Sequence, residues 1–568
     1  MIKFPIAQQK AGSYKKTFLF FLLLWFLINL VQAIFTEVIS DEAYYGMYGR
    51  YLDWGFYDHP PMVAVLIKIS SLIFSGNLGI RFMTILIQLG TIFLIWKTID
   101  IREHNSQSVI YFFIICASIS LFSAYGIITT PDAPLLFFTA LFFFSYKRYI
   151  DDQKWATILL LSISMAGLIY SKYQAVLVIG FLILSDLKLL KSYKFWIAGI
   201  LALLLLSPHI FWQIKNDFPS FQYHLVDRSD SFRWKFFIEY LPNQMAVFNP
   251  FTLGAIFFIL VKYKPAGQFN RSLYFQIIGF IVFFWLTSFR GHVEPHWTIA
   301  CSIPMIILLS EKSSENTSLA KYVRICILPS LLLLLAVRII LVTNSELSRS
   351  GGFAGKEEKY RSIESVAKDL PVVFTGSFQK PSLYTFFTGK EATVISSIYS
   401  RQTQFDIWQF ERKYQNKPAF ICIDAEGKSQ SYNSGFLQFS GFKTDSLQTV
   451  NRMKIDYDIT EKSFYTGDSI NVTFTLQNTY NNYICFSHPD FPVKISLVLI
   501  RGEEKYVLDV SLSQKIDTIL QGETIKRKLV ALIPDIPGNN YHVALCLNNI
   551  FGPSLNSRFT KINIENDD

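Results

Sequence analysis

The sequence predicts a polytopic α-helical membrane protein of about eleven transmembrane helices, followed by an extracytoplasmic α/β subdomain and a β-sandwich. Three observations predict this. Hydrophobic residues make up 51% of the 568 residues and charged residues 17%, with 53 Phe and 29 Tyr, more apolar surface than a soluble core hides. Apolar runs long enough to cross a bilayer recur through roughly the first 340 residues. Beyond them the pattern changes to mixed strand and helix, and then to strands of period two.

The first run, Phe18 to Phe35, follows Lys15 and Lys16. It is too long for a signal peptide and lacks a small-residue cleavage site, so it reads as an uncleaved first helix. Further spans are expected at Leu78 to Trp96, Val109 to Tyr125, Pro131 to Tyr146, Trp155 to Tyr170 and Gln174 to Leu187. Phe195 to Trp212, Met245 to Val261, Leu273 to Phe289, Trp297 to Leu309 and Tyr322 to Val342 complete the set. Pro61 to Phe74 is short and carries Lys68 in its middle, and reads as a helix in the interface.

Charge supports that arrangement. With Pro61 to Phe74 left out, Lys15/Lys16, Lys97/Arg102, Lys147/Arg148/Lys154, Lys188/Lys191/Lys194, Lys262/Lys264/Arg271 and Lys312/Lys321/Arg324 all fall on one side. The positive-inside rule makes that side cytoplasmic. The formal net charge of +10 therefore follows from topology, and its scatter excludes a nucleic-acid surface. An odd number of spans leaves the residues after Val342 outside the cytoplasm of an inner (plasma) membrane.

Three regions are expected: a membrane domain over 1–343, an α/β subdomain over 344–449 and an Ig-like β-sandwich over 450–568. Runs such as Ile470 to Leu476 and Val493 to Ile500 alternate as sandwich strands do. The six cysteines show no metal spacing, and Cys485 and Cys546 could form a disulfide.

Polar residues concentrate in the outside loops. The first carries Asp41-Glu42, Tyr44-Tyr45 and Asp58-His59, carboxylates and an imidazole able to move protons or bind a cation, or else a solvated loop. Asp132, in Thr-Pro-Asp-Ala-Pro, is either a helix cap or a functional acid at a span mouth. Lys172 and Tyr173 lie in a turn so tight that they sit at membrane level, where Lys172 either snorkels or meets a phosphate. Arg228 and Arg290 offer forked phosphate contacts. His292, Glu294 and His296 have spacing that could coordinate a divalent metal. All five clusters face one side, as a shared active site requires.

These residues resemble glycosyltransferase family 39, polytopic GT-C enzymes that include protein O-mannosyltransferases and the bacterial lipid A aminoarabinose transferase. Asp41-Glu42 resembles the family's acidic pair, Asp132 its second acidic position, and Ser171-Lys172-Tyr173, the Ser220 to Arg228 loop and Gly376-Ser377-Phe378-Gln379 are also similar. The Asp58-His59-Pro60-Pro61 segment is most similar to uncharacterised bacterial members, so no acceptor carries over.

The resemblance implies an inverting transfer of a sugar from a polyprenyl-phosphate donor, a membrane lipid, to a lipid, glycan or protein acceptor. Asp41, Glu42 and Asp132 would then be catalytic, and Lys172, Arg228 and Arg290 would bind the donor phosphate. Tyr44, Tyr45, Asp58, His59, Tyr173, Glu294 and His296 would hold sugar or acceptor. The rival classes are a transporter or lipid flippase, whose charges usually lie at the bilayer midplane in repeated halves, and a membrane-anchored binding protein.

Overall fold

A computed structural model describes residues 13–101, 104–223, 233–343, 346–434, 437–502 and 504–565. Arg102 and Arg228 lie outside the described residues. The chain divides into two compact units between Lys356 and Glu357.

The first unit is helical: α1 (Ser13–Phe35), α2 (Ser40–Arg50), α3 (Met62–Ser71), α4 (Gly76–Thr98), α5 (Ser106–Ser118), α6 (Ser120–Ala124), α7 (Asp132–Asp151) and α8 (Trp155–Ser171). Then follow α9 (Val176–Ser185), α10 (Tyr193–Lys215), α11 (Pro219–Gln222), α12 (Trp234–Phe248), α13 (Pro250–Lys262), α14 (Gly267–Thr287), α15 (Ser302–Glu315), α16 (Thr317–Tyr322) and α17 (Leu328–Val342). Every run expected to span is helical, but the runs differ in length and continuity.

Among the described residues, five helical stretches, Ser13–Phe35, Gly76–Thr98, Tyr193–Lys215, Gly267–Thr287 and Thr317–Val342, are long and apolar enough to cross a membrane. At 1.5 Å per residue, 23 residues reach about 35 Å, beyond a hydrocarbon core of about 30 Å. The chain is a multi-pass membrane protein. The run expected as one helix over Met245 to Val261 is instead α12 and α13, bent by 102°. The cause is local: Asn249 takes φ 68° and its side chain accepts the Phe251 N–H, while Pro250 has no N–H with which to continue α12. Val109 to Tyr125 likewise breaks, at Ile119, into α5 and α6.

Side chains stitch these helices together below the loops. Gln88 on α4 accepts from Trp25 Nε1 (2.7 Å) and Asn29 Nδ2 (2.9 Å) on α1 and donates to the Phe122 carbonyl of α6 (2.6 Å). Gly126 abuts this amide, and a Cβ there would lie 1.7 Å from Gln88 Oε1. Because three hydrogen bonds hold the amide, Gly126→Ala is expected to destabilise the unit by about 1–3 kcal/mol, seen as a lower thermal midpoint in detergent. A midpoint equal to wild type would mean that Gln88 swings aside freely.

Among the described residues the second unit holds two larger sheets and a small two-stranded one. β1 (Val372–Thr375), β2 (Ala392–Ile395), β3 (Ala419–Cys422), β4 (Gln430–Ser434) and β5 (Leu437–Thr444) form a sheet of order β2-β1-β3-β5-β4. β1 is parallel to both β2 and β3, with helix Gln379–Thr388 between β1 and β2 and helix Gln404–Trp408 between β2 and β3, as parallel crossovers require. From Lys454 onward a nine-stranded, mostly antiparallel sheet follows. Alternate residues of Ser469–Gln477 (Ile470, Val472, Phe474, Leu476) and of Lys494–Arg501 and Asn539–Asn549 enter one core, so the sheet's two halves close on each other as a sandwich.

The Cys485–Cys546 disulfide that the sequence allowed is not formed, since all six cysteines are free. Cys485 pairs with Thr518 in a separate two-stranded sheet, whereas Cys546 is buried in the nine-stranded sheet opposite Ser496 and Leu555.

Candidate active site

The connections of the helical unit meet through one buried clasp. Arg81, in the second turn of α4, donates from Nε (2.7 Å) and Nη2 (2.5 Å) to the two carboxylate oxygens of Glu42, and both side chains are about 1% exposed or less. Its guanidinium also reaches the carbonyls of Ala33 (3.3 Å), Thr36 (2.6 Å) and Glu37 (3.1 Å), which α1 leaves unsatisfied at its C-terminal end. Glu42 in turn accepts the Ile39 N–H at the start of α2 (3.1 Å) and the Thr129 N–H of the turn before α7 (3.0 Å).

One charge pair thus joins the end of α1, the start of α2, α4 and the Asp132 turn. Both carboxylate oxygens of Glu42 are spent within this clasp, which makes it a structural anchor and leaves Asp41 as the half-buried acid beside it. Sequence reading passed over Arg81 because it lies inside an apolar run. A lone Arg in such a run was itself the signal.

Asp132 is the first residue of α7, yet its side chain caps nothing. Its Oδ1 accepts from Lys172 Nζ at 2.7 Å, with both side chains at most 5% exposed. Oδ2 lies 3.9 Å from His296 Nε2. Lys172 is therefore held in the interior and does not snorkel.

Tyr45 reports which acids share this space. Burial first, and then the charges of Asp41, Asp58 and Asp132, hold its hydroxyl well above the usual tyrosine range. Asp132, Asp41 and Glu294 also act on Tyr125. Four acids from three separate connections thus act on these two hydroxyls.

Around them lies an aromatic and amide frame. Tyr48 donates to Asp58 and stacks flat on Phe56, with ring centroids 3.9 Å apart. His59 meets Tyr45 edge-on, and Tyr44 is buried against Tyr48. His209 Nδ1 lies 2.7 Å from the Trp54 carbonyl, which requires that nitrogen to carry the proton and leaves Nε2 to accept from the Tyr173 hydroxyl at 3.1 Å. Gln213 donates to both Tyr173 Oη (2.7 Å) and Ser220 Oγ (2.8 Å), and Ser220 donates to the Phe56 carbonyl (3.0 Å). Tyr173, expected as a sugar ligand, is thereby tied to α10 and to the first connection. His209 and Gln213 drew no notice in the sequence because each sits alone among apolar residues of α10.

The last connection divides. His292 Nε2 is 3.6 Å from Glu294 Oε2, His296 turns to Asp132, and Arg290 is exposed. The three-residue metal set is not assembled: among the described residues, no three His, Cys, Asp or Glu side chains are close enough to hold a metal ion. Arg228, expected at the donor phosphate, lies outside the described residues.

Beside the acid cluster, α3, α7, α8 and α10 border a largely apolar groove of about 650 Å³ that reaches Asp53, Trp54 and Tyr170.

Residues 58–212, the segment from Asp58 through α10, match the family model described as dolichyl-phosphate-mannose-protein mannosyltransferase. Among solved structures, ArnT from Cupriavidus metallidurans in the apo state superimposes with a TM-score of 0.59 at 12% identity, over 76% of this chain and 98% of that one. The same protein bound to undecaprenyl phosphate gives a TM-score of 0.56 at 12% identity with the same coverage. Over that length the chain shares the fold of ArnT. The family match covers a stretch that contains Asp132 and Lys172 but not Asp41-Glu42. No curated protein sequence matches the chain.

Proposed function

We propose that the GT-C unit transfers a sugar from a polyprenyl-phosphate donor to an acceptor hydroxyl by inverting single displacement, at the extracytoplasmic face of the plasma membrane. The observation that carries this reading is the buried Asp132–Lys172 pair, gathered with Asp41 and Glu294 around Tyr45 and Tyr125. The groove supports a lipid-linked donor. Its α8 wall, from Ile163 to Tyr170, is about 10 Å long and ends two residues before Lys172, so a tail lying there would bring a phosphate toward the ammonium. The similar ArnT structure holds undecaprenyl phosphate.

In the reaction the acceptor oxygen bonds to the anomeric carbon, the bond from that carbon to the phosphate oxygen breaks, and its electron pair leaves with the phosphate. Asp41 takes the acceptor proton, and Asp132 orients the Lys172 ammonium. One Lys172 N–H is used by Asp132, which leaves two for the oxygens on which charge grows. Glu42 acts through its clasp as a positioning residue. Tyr45, Asp58, His59, Glu294 and His296 border the space left for the sugar and the acceptor, which is a lipid, a glycan or a protein.

The test is release of polyprenyl phosphate from radiolabelled polyprenyl-phosphate sugars by the protein in lipid vesicles supplied with a membrane extract. Lys172→Met is expected to lower kcat by about 10² or more with a smaller change in KM, because the ammonium meets more charge in the transition state than in the ground state. Unchanged turnover would remove Lys172 from the reaction. No release by wild type from any donor would remove the transferase reading.

A further inference from the structure

The second unit contains a cleft unlike the membrane groove. Beyond β2, the loop from Ser396 to Gln402 closes against the sandwich around a space of about 270 Å³, just below the range of about 300–1,000 Å³ typical of small-molecule sites. Its walls are built by side chains with fixed partners. Asn451 Nδ2 donates to the Ser396 carbonyl (2.5 Å), and Ser396 Oγ donates to Asp406 Oδ1 (2.6 Å). Arg452 Nε donates to Glu411 (2.6 Å), and its Nη2 lies 3.7 Å from Asp406. Lys505 donates to the Ile398 carbonyl.

Charge decides what such a cleft takes. Of the two cations, Arg452 is committed to Glu411 beneath the cleft and lies beside Asp406, while Lys505 is committed to the Ile398 carbonyl. An anionic ligand would have to compete with the Glu411 carboxylate for Arg452, displace the Ile398 carbonyl from Lys505 and approach Asp406. A neutral polyhydroxyl ligand would not, since Ser397, Ser400, Gln402 and Asn451 offer hydroxyl and amide groups that both donate and accept. One side of the cleft is apolar and open: Phe559 is 47% exposed and Leu555 40%. A small site with convergent neutral polar groups and one aromatic face suits a ring with hydroxyls on its edge and C–H bonds on its face.

We propose that this cleft binds a single neutral saccharide residue. The proposal goes beyond the transfer reaction and does not depend on it. A domain holding a glycan would retain a growing or acceptor chain near the protein.

The test uses the full-length protein in detergent and saturation-transfer NMR with methyl glycosides of mannose, glucose, galactose and N-acetylglucosamine. Wild type should transfer saturation to at least one glycoside. Gln402→Ala and Phe559→Ala change exposed side chains, so both should keep the thermal midpoint while weakening binding about fivefold or more. Asp132→Asn in the membrane unit should bind as wild type does. Four outcomes would overturn the proposal: no transfer to any glycoside, transfer unaffected by both cleft variants, loss in Asp132→Asn, or displacement by inorganic phosphate, which would mark an anion site.

Discussion

Asp41→Asn is expected to lower polyprenyl phosphate release by about 10² to 10⁴, the usual contribution of a general base, while the protein keeps its unfolding midpoint. The substitution preserves shape and hydrogen bonding but cannot take a proton. Stability should survive because the buried contacts that join the helices belong to the neighbouring Glu42, whose carboxylate meets Arg81, Ile39 and Thr129. The paired measurement is the rate of donor turnover and the thermal midpoint of the same preparation. A rate within about threefold of wild type, far from the range for a lost base, would show that another group deprotonates the acceptor. A collapsed midpoint would show that Asp41 is part of the clasp.

Arg81→Met should behave in the opposite way, costing about 3–5 kcal/mol of stability because it leaves the Glu42 carboxylate buried without its partner. The loss extends further, since the carbonyls of Ala33, Thr36 and Glu37 lose their donor as well. Removing the stranded charge should recover part of the loss, so Arg81→Met with Glu42→Gln is expected to be more stable than Arg81→Met alone. Titration of each variant from lipid micelles into denaturing detergent would measure both. Equal stability of the single and double variants would mean that Glu42 is neutral or solvated when Arg81 is gone, and the clasp would not be an ion pair.

The sequence by itself determined the helical membrane unit, because the apolar length needed to cross a bilayer is a local, additive property of consecutive residues. It also determined the strand-rich tail, through period-two alternation such as Ile470 to Leu476, and it marked Asp41, Asp132 and Lys172 as unusual for where they lie. The bend between α12 and α13 was missed in a run read as one span, although Asn249-Pro250 is a residue pair that ends a helix.

Only the tertiary structure decided what those residues do for one another. Whether Asp132 caps a helix or meets a cation depended on Lys172, which is 40 residues away in the chain and 2.7 Å away in space. Within the acidic pair, it is the Arg81 clasp that sets Glu42 in the interior and Asp41 half-buried beside it. His292, Glu294 and His296, adjacent in spacing, are parted because His296 faces Asp132 and His292 faces Glu294. The physical reason is common to all three cases. Hydropathy and backbone preference are read from neighbours along the chain, whereas the partner that satisfies a buried charge is set by which turns the packed helices bring together.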